Sequence, residues 1–288
     1  MEEIIINGKA LYTPKGAARE YAAVGCNFYT GCPHNCDYCY LKRGAPSKQL
    51  GGTEVKLKKC FKNDAHALSV LEKELDANLE HLKTVGIFLS FTTDPLIAET
   101  RNLTFETIFR CVTIRDIPVM VLTKNASFID DAGFIRFLGG ISEDERRFIA
   151  FGFTLTGRDD MEPLASTNQD RIETMHRLKE LGFRTWASIE PIIQFNKSLS
   201  VIQESVRFCD HYKIGLRSGV KKDYYDDEDL RQFMWNVNKV FADAEREYMA
   251  FPTAYWKESV RKRFDCNILH HKENRFSVEK DYNIFAHD

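Results

Sequence analysis

Leucines at 68, 71, 75, 79 and 82 recur at spacings of three and four, the period that gathers apolar side chains on one face of a helix. Directly after them Ile87-Phe-Leu-Ser-Phe91 reads as a buried strand, closed by the turn-forming Thr-Thr-Asp-Pro. The same alternation then repeats. A helix over Thr104–Arg115 precedes a strand at Pro118–Leu122, and a helix over Ile129–Leu138 precedes a strand at Phe148–Phe153. Asn168 is a candidate cap for a helix through Ile172, Met175, Leu178 and Leu181, with Gly182 as its stop. Strands at Arg184–Ile189 and Tyr212–Leu216 flank a helix over Ser198–Cys209. Counting a strand just before Cys26, the pattern predicts six β/α units.

Each strand in such an alternation returns through a crossover helix, so the predicted sheet is parallel. On sheets of this kind the loops at the carboxyl ends of the strands carry the chemistry. The polar residues falling there are Thr93, Asp94, Lys124, Asn125, Thr154, Thr156, Glu190, Arg217 and Ser218, together with a cysteine-rich loop after the first strand. Residues 1–19 read as a lead-in, 20–217 as the repeating α/β unit, and 218–288 as a helical C-terminal extension packed on it. That extension holds an acidic run, Asp223 to Asp229, a helix near Asp229–Tyr248, and a tail with Trp256, Arg261, Lys262, Arg263, His270 and His271.

Composition changes this picture little. Apolar residues at 43% and charged residues at 28% are ordinary for a globular chain, and 40 basic against 42 acidic residues give a net charge of −2 with no long-range pull toward nucleic acid or anionic membrane. No apolar run approaches the roughly 18 residues of a membrane span, and the acidic start does not resemble a secretory signal. The expected compartment is the cytoplasm, where clustered cysteines bind metal more often than they pair.

Four of the eight cysteines lie within Cys26-Asn-Phe-Tyr-Thr-Gly-Cys32-Pro-His-Asn-Cys36-Asp-Tyr-Cys39. The inner triplet is spaced CxxxCxxC, and three thiolates on one loop can hold three irons of a 4Fe-4S cube while the fourth iron stays open to a ligand. A structural zinc site with Cys26 as fourth ligand is the alternative, although zinc knuckles usually present two separated pairs. His34, inside the loop, reads as solvent-facing or hydrogen-bonded.

The triplet with aromatic Tyr38 before its last cysteine resembles the signature of radical S-adenosylmethionine enzymes. Further blocks, Val55-Lys-Leu-Lys58, Ser90-Phe-Thr-Thr-Asp-Pro95, Leu122-Thr-Lys-Asn125, Glu162-Pro-Leu-Ala165 with Arg171, and Ser188-Ile-Glu-Pro-Ile192, resemble the branch that includes spore photoproduct lyase. The resemblance implies a partial (β/α)6 barrel with parallel strands. It implies a 4Fe-4S cluster on Cys32, Cys36 and Cys39, S-adenosylmethionine at the open iron, and a reductant such as flavodoxin or ferredoxin. Thr93 and Asp94 match the pair that receives the cofactor's amino group, Lys124 matches the lysine facing its carboxylate, and Thr154 is the candidate contact to carboxylate or ribose. Tyr40 matches a tyrosine of the lyase's hydrogen relay. Phe91 stands where the lyase has its hydrogen-donor cysteine, which argues against spore photoproduct itself and leaves open a small molecule or nucleic acid as substrate. Glu190 reads either as a substrate or cofactor contact or as a structural partner of Arg217, and Asp94 with Lys124 can alternatively be read as a plain ion pair.

Overall fold

The computed structural model describes residues 4–43, 47, 50–221, 223–264 and 284–285. Among the described residues there are ten strands: β1 (Leu11–Tyr12), β2 (Gly25–Cys26), β3 (Tyr29–Thr30), β4 (Lys56–Leu57), β5 (Ile87–Leu89), β6 (Val119–Thr123), β7 (Ile149–Thr154), β8 (Arg184–Ile192), β9 (His211–Leu216) and β10 (Thr253–Trp256). Eight of them form one sheet in the order β1-β2-β5-β6-β7-β8-β9-β10, and β3 pairs only with β4. Every neighbour pair in the large sheet from β2 to β10 is parallel, whereas β1 runs antiparallel to β2. The protein is thus an α/β fold with an open, mostly parallel sheet, a partial barrel.

The six expected strands are β2 and β5 to β9. The extension after residue 218, expected to be helical, adds a further parallel strand, because Thr253 to Trp256 pair with His211 to Ile214 along β9. Long helices cover the outer face: α1 (Asp64–Ala77), α2 (Leu79–Val85), α3 (Arg101–Arg115), α4 (Ala132–Gly140), α5 (Glu143–Arg146), α6 (Asn168–Glu180), α7 (Phe195–Ser205) and α8 (Asp227–Tyr248); a last turn, α9 (Glu258–Arg261), follows β10. The leucine stripe is split between α1 and α2 at Asn78, and Leu71, Leu75 and Leu82 are its fully buried members. Helix α6 begins one residue earlier than its expected cap implies. Thr167 caps it in a reciprocal capping box with Asp170, and Asn168 instead accepts from the backbone N–H of Thr156 at 2.9 Å and of Gly157 at 3.1 Å, holding the loop after β7. Gly182 ends that helix at φ 85°, a conformation that glycine adopts without strain.

Strand β8 shows how one sequence serves two faces. Ala187 and Ile189 enter the main core beneath the helices, whereas Trp186, between the same neighbours in the pleat, turns inward with Tyr21, Phe88, Met120, Ala150 and Ile284. Side chains from β5, β6, β7 and β8 meet in this inner cluster, as the curvature of a partial barrel requires. Gly152 carries no side chain because a Cβ there would run into the Trp186 indole. Ile284 and Phe285 finish the floor: Arg184 donates to the Ile284 carbonyl at 3.2 Å and lies over the Phe285 ring at 5.6 Å. His270, His271 and Cys266 lie outside the described residues. Among the described residues no helix is long and apolar enough to cross a membrane.

Candidate active site

The ribbon of β3 and β4 presents the cysteine loop over the carboxyl ends of the parallel strands. Gly31, at φ 81°, starts the loop, and any Cβ there would collide with the Glu54 carbonyl. The Cys32 N–H then donates to the Gly52 carbonyl at 3.0 Å, the Asp37 N–H to Met161 at 3.0 Å and the Cys39 N–H to Cys36 at 3.2 Å. Cys32, Cys36 and Cys39 all line one cavity of about 370 Å³. Burial pushes the Cys32 thiol up to about 12, helped by the Asp94 charge, and raises that of Cys36 against the pull of Lys124. Ligation therefore has to displace protons from these sulfurs.

Cys26 is fully buried in the main core on β2 and does not line this cavity, which separates it from the triplet. Among the described residues no three His, Cys, Asp or Glu side chains converge tightly enough to hold a single metal ion. Three thiols lining one cavity are the donor set that an iron-sulfur cube with one open iron would use.

Asp94, expected as a cofactor contact, is held by the protein on both oxygens. Its Oδ1 accepts from Thr123 Oγ1 at 2.7 Å and the Leu96 N–H at 2.9 Å; its Oδ2 meets His34 Nε2 at 2.7 Å and the Lys124 N–H at 2.7 Å. Burial alone would raise the Asp94 carboxyl, but the His34 charge and hydrogen bond hold it below the usual carboxylate range. Of the two alternatives for His34 the hydrogen-bonded one holds, since the ring is buried with its Nδ1 3.0 Å from the Leu164 carbonyl; Asp94 meets Lys124 through the backbone rather than as an ion pair.

Thr93 and Lys124 are different. The Thr93 hydroxyl is buried with no hydrogen-bond partner among the described residues, on the cavity wall. The Lys124 ammonium lies 5.4 Å from the Tyr38 ring centroid, and the charges of Cys36 and Glu162 hold it above the ordinary lysine value although burial opposes them. Beneath it the Tyr38 hydroxyl donates to Glu162, which forms a fully buried ion pair with Arg171 at 2.8 Å. Arg171 also donates to the Thr154 carbonyl at 2.7 Å and the Ser166 carbonyl at 2.5 Å, fixing the end of β7 where Thr154 lines the cavity.

On the opposite wall Glu190 accepts from the Tyr21 hydroxyl and from Lys257 Nζ, both at 2.6 Å. Its ion-pair partner is therefore Lys257, not Arg217. Tyr21 and Lys257 were not legible as site residues: Tyr21 precedes the first parallel strand, and Lys257 follows β10, the strand that the apolar pattern did not reveal. Tyr40 is half exposed at the rim, and its hydroxyl donates to the Phe91 carbonyl. Phe91 itself packs against Phe88 in a tilted pair, with ring centroids 4.4 Å apart.

The structure is similar to SuiB of Streptococcus suis bound to S-adenosylmethionine, with 14% sequence identity and a TM-score of 0.50 over 79% of this chain and 48% of that one. SuiB solved alone gives 15% identity and a TM-score of 0.50 over 85% and 52%, and SuiB bound to precursor peptide SuiA gives 13% and 0.50 over 83% and 50%. The likeness is one of fold. The chain spans about half the length of SuiB. No family model and no curated protein matches the sequence.

Proposed function

We propose that this protein is a radical S-adenosylmethionine enzyme whose cavity holds a 4Fe-4S cluster on Cys32, Cys36 and Cys39 and S-adenosylmethionine beside it. The observation that carries the reading is the meeting, on one cavity wall, of the three thiols with a buried hydroxyl and an ammonium that lack protein hydrogen-bond partners among the described residues, Thr93 and Lys124. The SuiB fold, seen there with S-adenosylmethionine bound, supports it. When bound, the cluster supplies the single electron that splits the sulfonium into methionine and a 5′-deoxyadenosyl radical, the species that takes hydrogen from a substrate.

The protein's own groups then have defined tasks. The Thr93 hydroxyl accepts from the amino group of S-adenosylmethionine, and Lys124 carries its carboxylate. Asp94, saturated by four protein donors, does not bind the amino group directly in this arrangement; it fixes the loops that bear Cys32, Thr93 and Lys124. Thr154 sits on the neighbouring strand end, in position for a ribose or carboxylate contact. Phe88, Phe91 and Leu122 line the middle of the cavity and exclude water from the reacting carbon. Glu190, held by Tyr21 and Lys257, and Tyr40 at the rim face the substrate side.

Within this chemistry the sequence blocks resemble the spore photoproduct lyase branch, but Phe91 occupies the hydrogen-donor position, so we assign a different substrate. A flavodoxin or ferredoxin in the cytoplasm would supply the electron. Anaerobic purification tests the reading. The expected protein is brown, binds about four irons and forms 5′-deoxyadenosine from S-adenosylmethionine on reduction; Cys36→Ala loses colour and product, and Cys26→Ala keeps both. A colourless chain holding one zinc overturns it.

A further inference from the structure

The side chains lining the cavity carry more positive charge than the protein neutralises. Four of them are lysine or arginine, Lys42, Lys124, Arg217 and Lys257, beside His34 and against two carboxylates, Asp94 and Glu190. Both carboxylates are taken, Asp94 by His34 and Glu190 by Lys257. Lys42 reaches the Asn35 carbonyl at 2.9 Å from an exposed position. Lys124 belongs to the wall proposed for S-adenosylmethionine. That leaves Arg217, at the carboxyl end of β9, three strands around the sheet from Lys124 on β6.

Arg217 has the features of a residue awaiting a ligand. Its backbone N–H is fixed by the Tyr225 hydroxyl at 2.9 Å, which aims the residue. Its guanidinium has no ion pair among the described residues, and its Nε is buried without a hydrogen-bond partner. The backbone that follows it is held from the cysteine-loop side, since Arg43 donates to the Ser218 carbonyl at 3.1 Å. A buried donor without an acceptor is costly, and an arginine fork matches carboxylate and phosphate oxygens in pairs. The same cavity is also lined by an aromatic cluster, in which Phe91 meets Phe88 and Tyr21 with ring centroids 4.4 Å and 6.3 Å away.

We propose that Arg217 binds an anionic group, carboxylate or phosphate, of a substrate whose flat or apolar body lies against Phe88 and Phe91. This deepens the radical S-adenosylmethionine reading by naming the substrate class, and rests on it for the other half of the cavity. The subsite orients the substrate so that the atom to be attacked is held between Arg217 and the cysteine loop.

Two matched pairs test the proposal on the anaerobically purified full chain by calorimetric titration: uridine against uridine 5′-monophosphate for phosphate, and 2-phenylethanol against phenylacetate for carboxylate. In at least one pair the anionic member binds about tenfold more tightly than its neutral partner, the size of one charge-assisted hydrogen bond. Raising sodium chloride shrinks that preference. Arg217→Gln abolishes it, Arg217→Lys retains part of it, and Lys124→Gln leaves it. Equal binding of neutral and anionic members in both pairs, a preference that survives Arg217→Gln, or one lost in Lys124→Gln instead overturns the proposal. The titration needs neither iron nor S-adenosylmethionine, so a chain that shows the anion preference but takes up no cluster refutes the radical reading alone, and the converse refutes only the subsite.

Discussion

Nε2 of His34 lies 2.7 Å from Oδ2 of Asp94, both side chains buried, and this contact ties the cysteine loop to the loop after β5. Since Asp94 also collects Thr123, Leu96 and the Lys124 N–H, one carboxylate organises three of the loops around the cavity. Asp94→Asn replaces two accepting oxygens by one and points an amide N–H at donors. It is expected to cost about 1–3 kcal/mol, more than His34→Gln, in urea unfolding of the iron-free chain. An Asp94→Asn midpoint equal to wild type would show that the hub is not structural.

The Glu162–Arg171 pair is fully buried, with Tyr38 and two backbone carbonyls on its remaining valences. Arg171→Met strands the Glu162 charge and is expected to cost about 3–5 kcal/mol, whereas Arg171→Met with Glu162→Gln recovers a measurable part. Thermal unfolding of the three proteins decides it, and a double variant no more stable than the single one counts against a charge effect.

Packing in the barrel interior gives a separate test. Gly152→Ala forces a methyl into the Trp186 indole and is expected to lower stability by about 1–3 kcal/mol. Gly139, where a Cβ would meet nothing within 4 Å, is the control: Gly139→Ala should be neutral or stabilising in its helix. Similar losses at both positions would refute the packing account.

Lys213 is fully buried on the inner face of β9, its Nζ 2.5 Å from the Tyr21 carbonyl and 5.5 Å from the centroids of the Tyr21 and Trp186 rings. Burial, and then the Lys257 charge, hold its ammonium well below the ordinary lysine value. Below the ordinary lysine range near 10.4 the unfolded chain therefore binds more protons than the folded one. Stability at this group is greatest above that range and is lost as pH falls toward the depressed folded value. Lys213→Met should remove that slope, so its stability advantage over wild type grows as pH is lowered from 10 to 7. Chemical unfolding at several pH values measures it, and parallel curves would exclude a buried neutral lysine.

Much of the fold is legible in the sequence. The helical period and the short apolar runs located six parallel strands because strands buried on both faces need near-continuous apolar residues, and the cysteine spacing located the loop. What escaped depended on pairing at a distance. Strand β10 is only Thr-Ala-Tyr-Trp, too short for a pattern, and becomes a strand because β9 offers it an open edge. Lys257 follows from it, and with Lys257 the true partner of Glu190. Asn168 looks like a cap because its residue type caps helices; Thr167 holds that place since it can form the reciprocal box with Asp170. The saturation of Asp94 could not be foreseen, for its four donors come from three separate segments.

Ile284 packs in the inner cluster with Trp186 and Phe88, 284 residues into a chain that is made from the other end. During synthesis, the walls and the cysteine loop leave the ribosome before the residues that cover the barrel floor. The nascent barrel therefore exposes an aromatic underside until residues 284 and 285 emerge, and its floor is covered later than its mouth is built.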